Sequence, residues 1–167
     1  MGTLTFAVER FNTGFVADTG IRESMEDTYL IIQDMGLEEC VKISLFAVID
    51  GHGGVWCAHF IRKRLENELR AQLNDPIHGF KRHQHGNVNE CISNALIRTF
   101  NIIDEAYLKE MPEVAHRCGS AACLMLIVGN RIFTANVGDS RAVLSRKGTA
   151  INLSYDHKPV NNLFLLI

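Results

Sequence analysis

The order in which hydrophobic patterns follow one another most constrains the fold of this chain. Two segments rich in Ile, Leu, Val and Phe, 28–34 and 41–50, are typical of strands. They precede two long segments, 55–73 and 88–107, in which apolar residues recur at helical spacing and form one stripe. Because an amphipathic helix is stable only when its stripe is buried, both predicted helices need a core to cover.

The second half of the chain predicts strands joined in hairpins. Its apolar runs form two pairs, each joined by a short link of turn residues. The pairs are 124–128 with 131–135 around Gly129-Asn130, and 141–145 with 149–153 around Arg146-Lys147-Gly148. Strands, then a helix pair, then hairpins favour an α+β fold with an antiparallel sheet over alternating βαβ units.

Size and charge narrow the classes of function. The 167 residues suit one ordinary domain. With 17 basic and 19 acidic side chains, the net charge of −2 gives no reason to expect binding to nucleic acid or to an anionic membrane. The longest apolar run, 121–128, is far shorter than the ~18 residues of a membrane-spanning helix. We therefore expect a small substrate or another protein as the partner, no nucleic acid and no membrane span.

The cysteines indicate the compartment. There are five of them, an odd number, and no Cys-x-x-Cys pair occurs. This pattern favours buried free thiols in a reducing environment over disulfides or a zinc site. The predicted location is intracellular, in the cytoplasm, the nucleus or both.

The segment Asp50-Gly51-His52-Gly53-Gly54 is the first candidate site. It follows an apolar strand and precedes a helix, so it sets a carboxylate at a strand end beside bare backbone. Carboxylate and carbonyl oxygens are the ligands that Mg²⁺ and Mn²⁺ prefer, and His52 adds an acid–base group. An ordinary strand–helix turn explains the same residues.

Three further segments carry polar residues with two readings each. In Arg22–Asp27, Arg22 suits a bidentate grip on phosphate and Glu26 and Asp27 offer carboxylates, but a solvated charged turn also fits. In 136–141, turn chemistry alone accounts for the Asn, Gly and Asp, and a ligand role for Asp139 stays open. The loop 74–87 has three histidines, which make a metal site conceivable, but its proline and two glycines favour an exposed, solvated loop.

Five of these motifs together resemble the metal-dependent (type 2C, PPM) serine/threonine protein phosphatases. They occur in the order and approximate spacing of that family, over roughly residues 12–159. The matching motifs are Gly20-Ile21-Arg22-Glu23-Ser24-Met25-Glu26-Asp27, Phe46-Ala47-Val48-Ile49-Asp50-Gly51-His52-Gly53-Gly54, Gly119-Ser120-Ala121-Ala122, Asn136-Val137-Gly138-Asp139-Ser140-Arg141-Ala142-Val143-Leu144 and Leu153-Ser154-Tyr155-Asp156-His157-Lys158-Pro159.

The resemblance implies a fold and a domain organisation. The fold would be an antiparallel β-sandwich flanked by helix pairs, of which the predicted helices 55–73 and 88–107 form one. Residues 1–159 would be the N-terminal part of a phosphatase domain, and 160–167 an apolar tail that matches nothing in the family.

The resemblance also implies a centre of two Mn²⁺ or Mg²⁺ ions, with a third, weaker site. Asp50 would bridge the two ions, and the carbonyl of Gly51 would bind one of them. Glu26 would support that ion partly through water, and Asp27 would support the ligands from behind. Asp139 matches an aspartate that holds the looser ion.

The implied reaction is hydrolysis of phosphoserine and phosphothreonine in proteins. Two cations would acidify a shared water, which attacks phosphorus in line. Arg22 matches the arginine that grips the phosphate, and His52 the histidine proposed as general acid for the alkoxide leaving group. No covalent enzyme intermediate is required, so the cysteines are not candidates for the nucleophile.

The chain departs from the family in two places. Ala121 stands where the family usually has Thr, and we expect only a packing change there. After Pro159 the family continues through two more metal-binding aspartates, which the tail 160–167 lacks. Since cation affinity rises with the number of anionic ligands, we expect this chain as given to be a poor or inactive catalyst. The alternative is a phosphatase-like module that binds phosphoproteins or partner phosphatases without hydrolysis.

Overall fold

The computed structural model of the chain describes residues 11–37, 42–76, 79 and 87–158. These residues form six strands and three helices. In chain order they are β1 (Thr28–Ile32), β2 (Ile43–His52), α1 (Trp56–Leu73), α2 (Val88–Glu110), α3 (Pro112–Ala115), β3 (Gly119–Val128), β4 (Arg131–Val137), β5 (Val143–Arg146) and β6 (Thr149–Asn152).

The predicted α+β class with an antiparallel sheet is confirmed. Strands β1 to β4 form one sheet in the order β1-β2-β3-β4, and every neighbouring pair is antiparallel. Strands β5 and β6 form a separate antiparallel hairpin. The register pairs Asp50 with Ala121 and His52 with Gly119, so the end of β2 lies beside the start of β3.

The side chains of β2 point alternately to the two faces of the sheet. Its odd-numbered residues from Ile43 to Ile49 are buried in the core with α1 and α2. Leu69 of α1 and Ile92 of α2 are fully buried in the same core. The apolar stripes of α1 and α2 are therefore buried against this face of the sheet, as the sequence pattern predicted.

The opposite face of the sheet is also apolar but more open. Phe46 and Val48 of β2 lie on it, and Val48 is 52% exposed. A cavity of about 500 Å³ separates this face from the chain around the β5–β6 hairpin, to which Val143 and Leu153 contribute. The hydroxyl of Thr134 in β4 donates to the Leu153 carbonyl at 2.6 Å. The hairpin region thus lies over the second face of the sheet without filling the space between.

Several element boundaries differ from the prediction. Strand β3 begins at Gly119 rather than at 124, because its first residues pair with the end of β2. The turn between β5 and β6 has two residues instead of three, since Arg146 pairs with Thr149. Both turn residues, Lys147 and Gly148, have positive φ, as a tight type I′ hairpin requires. The short helix α3 has no counterpart in the prediction.

The structure tests some of the remaining predictions, whereas others concern residues outside the described ranges. Four cysteines, at positions 57, 91, 118 and 123, are buried and form no disulfide, which confirms the prediction of thiols rather than disulfides for them. None of the helices described is long and apolar enough to cross a membrane. The tail 160–167, Cys40 and the three histidines of the 74–87 loop lie outside the described residues.

Candidate metal centre

The glycine turn, residues 51–54 at the end of β2, packs closely against the backbone of two other segments. A Cβ added at Gly51 would overlap the Glu26 carbonyl oxygen, and one added at Gly53 would overlap the Arg117 carbonyl oxygen. Gly53 also has a φ of 72°, which side chains rarely adopt. The turn is therefore held between the segment before β1 and the segment before β3. Only bare backbone fits at these two positions.

Asp50 faces two other carboxylates. Burial raises the pKa of the Asp50 carboxyl above its ordinary value, and the charge of Asp27, a hydrogen bond with Asp27 and the charge of Asp139 raise it further. The nearby Arg22 acts in the opposite direction. Four of the predicted site residues, from three separate segments of the chain, thus interact at the end of β2.

Glu26 and Asp27 contact the site in different ways. Asp27 meets Asp50 through its side chain, whereas the contact described for Glu26 is that of its backbone with Gly51. The Glu26 side chain is half-buried and that of Asp27 is exposed. The division of roles between these two carboxylates stays a prediction.

His52 is exposed at the last position of β2 and lies over Gly119. A Cβ at Gly119 would lie 2.6 Å from His52 Nε2, so the missing side chain leaves the space that the imidazole occupies. The neighbouring Ser120 donates its hydroxyl to the Asp50 carbonyl at 2.8 Å. Ser120 belongs to a motif that the sequence singled out, but its bond to the backbone of Asp50 depends on the β2–β3 register and could not be predicted.

Asp139 is brought to the site by the loop after β4. A Cβ at Gly138 would lie 2.5 Å from the Cβ of Ala121, which pairs with Asp50 across the sheet. The loop therefore packs directly on the strand beside Asp50. Lys158 Nζ lies 3.8 Å from Asp139 Oδ2 and 3.2 Å from Asp156 Oδ2. Neither Asp156 nor Lys158 was among the predicted site residues, although both belong to the last motif.

The donor chemistry of the site fits a hard divalent cation. Carboxylate oxygens converge beside backbone carbonyls. Burial, and after it the charges of Asp27 and Asp139, raise the pKa of Asp50, and a bound cation would offset both effects. Within the described ranges, however, no three His, Cys, Asp or Glu side chains form a group that can hold a metal ion. The residues present therefore suit a cation but supply few protein ligands to it.

The thiols nearest the site are not poised as nucleophiles. Burial raises the pKa of Cys57 to about 11, and the charges of Asp104 and Cys118 add to the effect. Cys118 donates its Sγ–H to the Gly53 carbonyl, with an S–O distance of 2.7 Å. A thiol is nucleophilic as its thiolate, so Cys57 is inert at neutral pH. Cys118 thus contacts the glycine turn through the Gly53 carbonyl.

Comparisons with known proteins show the family to which the chain is related. A family model described as "Protein phosphatase 2C" matches residues 11–163. "Probable protein phosphatase 2C 59" of Arabidopsis thaliana is 35% identical over 150 residues, which are 90% of this chain and 43% of that protein. The human "Integrin-linked kinase-associated serine/threonine phosphatase 2C" is 35% identical over 162 residues, with 87% of this chain and 39% of that protein covered. The chain spans about two-fifths of the length of these curated relatives.

Solved structures show the same fold. The serine/threonine phosphatase Stp1 of Staphylococcus aureus superposes with a TM-score of 0.64 at 22% identity, over 89% of this chain and 54% of that one. A C. elegans sex determining protein gives a TM-score of 0.65 at 22% identity, over 85% of this chain and 33% of that one.

Proposed function

The chain belongs to the protein phosphatase 2C family, and on that premise we propose that it carries the cation-binding, N-terminal part of a metal-dependent phosphatase. The reaction we propose is hydrolysis of phosphoserine and phosphothreonine in proteins by water. The observation that carries the proposal is the convergence of Asp27 and Asp139 on Asp50: burial is the largest cause of the raised pKa of the Asp50 carboxyl, and these two carboxylates raise it further.

The family suggests a role for each residue of the site. Asp50, the Gly51 carbonyl and Glu26 would hold Mn²⁺ or Mg²⁺, and Asp139 would hold a further, weaker ion. Asp27, within hydrogen-bonding distance of Asp50, would orient that carboxylate. Two ions at Asp50 are proposed from the family and from the oxygen-rich donor set.

Two other side chains would act on the substrate. Arg22 lies near enough to Asp50 to lower its pKa, so a phosphate beside the carboxylates would also meet the guanidinium. His52 is exposed beside the same turn, where its imidazole can give a proton to the departing serine or threonine oxygen. When bound, the cations supply Lewis-acid chemistry that acidifies the attacking water and offsets charge on the phosphoryl oxygens.

We expect the chain to bind its cations weakly. Affinity for hard cations rises with the number of anionic ligands, and the described residues contain no group of three such side chains suited to a metal. Slow turnover that saturates only at high Mn²⁺ or Mg²⁺ is therefore the expected behaviour. Intracellular phosphoproteins are the proposed substrates, since the buried free thiols suit a reducing compartment.

The proposal is tested by phosphate release from phosphoserine and phosphothreonine peptides as Mn²⁺ is added to the purified chain. Asp50→Asn is the test variant. Asp34→Asn is the matched control, because Asp34 is exposed after β1 and its side chain accepts a bond from the Gly36 amide, which Asn can also accept. We expect slow, cation-dependent release in the wild type and the control, and none in Asp50→Asn.

Two other outcomes would contradict the proposal. Phosphate release that does not depend on the cation, or that persists in Asp50→Asn, would show that the metal centre takes no part in the reaction. Cation-dependent binding of the phosphopeptide without any release would support a binding module instead. Filter binding with a labelled phosphopeptide distinguishes that case from a protein that does neither.

A further inference from the structure

Asp156 is a buried carboxylate held by two basic side chains. It is 7% exposed. Arg141 donates to it through Nε at 2.9 Å and Nη2 at 2.8 Å, one bond to each carboxylate oxygen. Such a two-pronged bond fixes both partners in orientation as well as in distance. Lys158 Nζ lies 3.2 Å from one of the same oxygens.

The backbone joins the two segments that carry these residues. The His157 amide donates to the Gly138 carbonyl at 2.9 Å. The Asn136 side-chain amide donates to the Gly138 and Tyr155 carbonyls at 3.0 and 3.1 Å. The loop that carries Asp139 and the segment that carries Lys158 are therefore linked at several points. We expect them to move as one unit.

Lys158 is consequently placed between two carboxylates. Its ammonium is 3.2 Å from Asp156 and 3.8 Å from Asp139. Asp156 already has the Arg141 guanidinium as a partner, so Lys158 is not needed to neutralise it. The contact of the Lys158 ammonium with Asp156 instead holds a positive charge beside Asp139.

We propose that Lys158 is a tethered counter-ion at the proposed cation site: Asp156 holds its ammonium against Asp139, where it competes with a divalent cation for that carboxylate. This inference rests on the proposed function. A dication bound to Asp139 Oδ2 would lie within about 6 Å of the ammonium, since Nζ is 3.8 Å from that oxygen and cation–oxygen bonds are about 2–2.5 Å long. At that distance in a water-like dielectric, repulsion weakens binding of the dication about 3- to 10-fold.

The test measures Mn²⁺ binding directly, by the electron paramagnetic resonance signal of the free ion, so that turnover is not needed. We expect Lys158→Met to bind Mn²⁺ about 3- to 10-fold more tightly than the wild type, and the gain to shrink as KCl is added. Lys158→Arg keeps the charge and should retain the wild-type affinity. Lys63→Met, which removes an exposed charge from α1, is the matched control and should leave the affinity unchanged.

A double-mutant cycle shows whether the charge acts through Asp139. In an Asp139→Asn background, Lys158→Met should change the Mn²⁺ affinity by less than about 2-fold, because the shared carboxylate is gone. An equal gain in both backgrounds, or no gain in the single variant, would overturn the inference while leaving the proposed metal site intact. A wild-type chain that binds no Mn²⁺ would overturn both.

Discussion

Replacing Gly138 by Ala tests whether the packing of one loop on one strand sets the cation site. The new Cβ would lie 2.5 Å from the Cβ and 3.1 Å from the Cα of Ala121. Carbon atoms in contact are separated by about 3.5–4.0 Å, so the loop must withdraw by roughly 1 Å. Ala121 pairs with Asp50 in the sheet and cannot yield without disturbing that pair.

The expected cost has two parts. Gly138 has a φ of 98°, and a positive φ costs a side chain about 1–2 kcal/mol. Overpacking adds about 1–3 kcal/mol. Gly138→Ala should therefore lower the free energy of unfolding by about 2–5 kcal/mol. Gly148→Ala is the matched control: its φ is 77° and nothing lies near the new Cβ, so only the first part applies.

Urea denaturation measures the free energies of unfolding, and Mn²⁺ titration of the folded variants measures the affinity of the cation site. We expect Gly138→Ala to weaken Mn²⁺ binding, because Asp139 moves away from Asp50 with the loop. Adding Ala121→Gly to Gly138→Ala removes the clashing methyl and should recover most of the overpacking cost. If Gly138→Ala costs no more than Gly148→Ala, or if the second change rescues nothing, the packing argument is wrong.

Two substitutions and one alkylation experiment test the charge, the core and a buried thiol. In the presence of a chelator at pH 7, Asp50→Asn should raise the midpoint of thermal unfolding, because burial and the charges of Asp27 and Asp139 penalise the ionised carboxyl. A raised carboxyl pKa means that the folded state binds the proton more tightly, so the gain should vanish below about pH 4, where the wild type is protonated too. Leu69→Ala, at a fully buried position of α1, should cost about 2–5 kcal/mol in urea denaturation. Cys57, with its pKa raised to about 11, should escape alkylation by iodoacetamide in the folded chain and react in denaturant, as mass spectrometry would show.

Local pattern was enough to predict the two long helices and the position of Asp50 at a strand end. Apolar residues at helical spacing have to be buried on one side, and the spacing of the stripe marks the helix well. The start of β3 was missed because Gly119 and the small residues after it have little strand preference of their own. They become a strand by pairing with the end of β2, and the two long helices separate these segments in the sequence.

The interactions that assemble the site were beyond prediction for the same reason. Arg141 and Asp156 are 15 residues apart, and Cys118 and Gly53 are 65 apart. Neither pair leaves a periodic signal in the sequence. The motifs supplied the candidate site residues, whereas the contact of Asp27 with Asp50 and that of Lys158 with Asp139 follow from how separate segments pack.

The alternation of β2 joins the cation site to the open face of the sheet. Phe46, Val48 and Asp50 are successive even-numbered positions, so they share the face that the helices leave uncovered. Any layer of protein laid over Phe46 and Val48 would border Asp50 and lower the dielectric around it. A lower dielectric constant strengthens the attraction between the carboxylates and a cation. It also raises the free energy of the ionised carboxylates when no cation is bound. Covering the apolar face and loading the cation site should therefore favour each other.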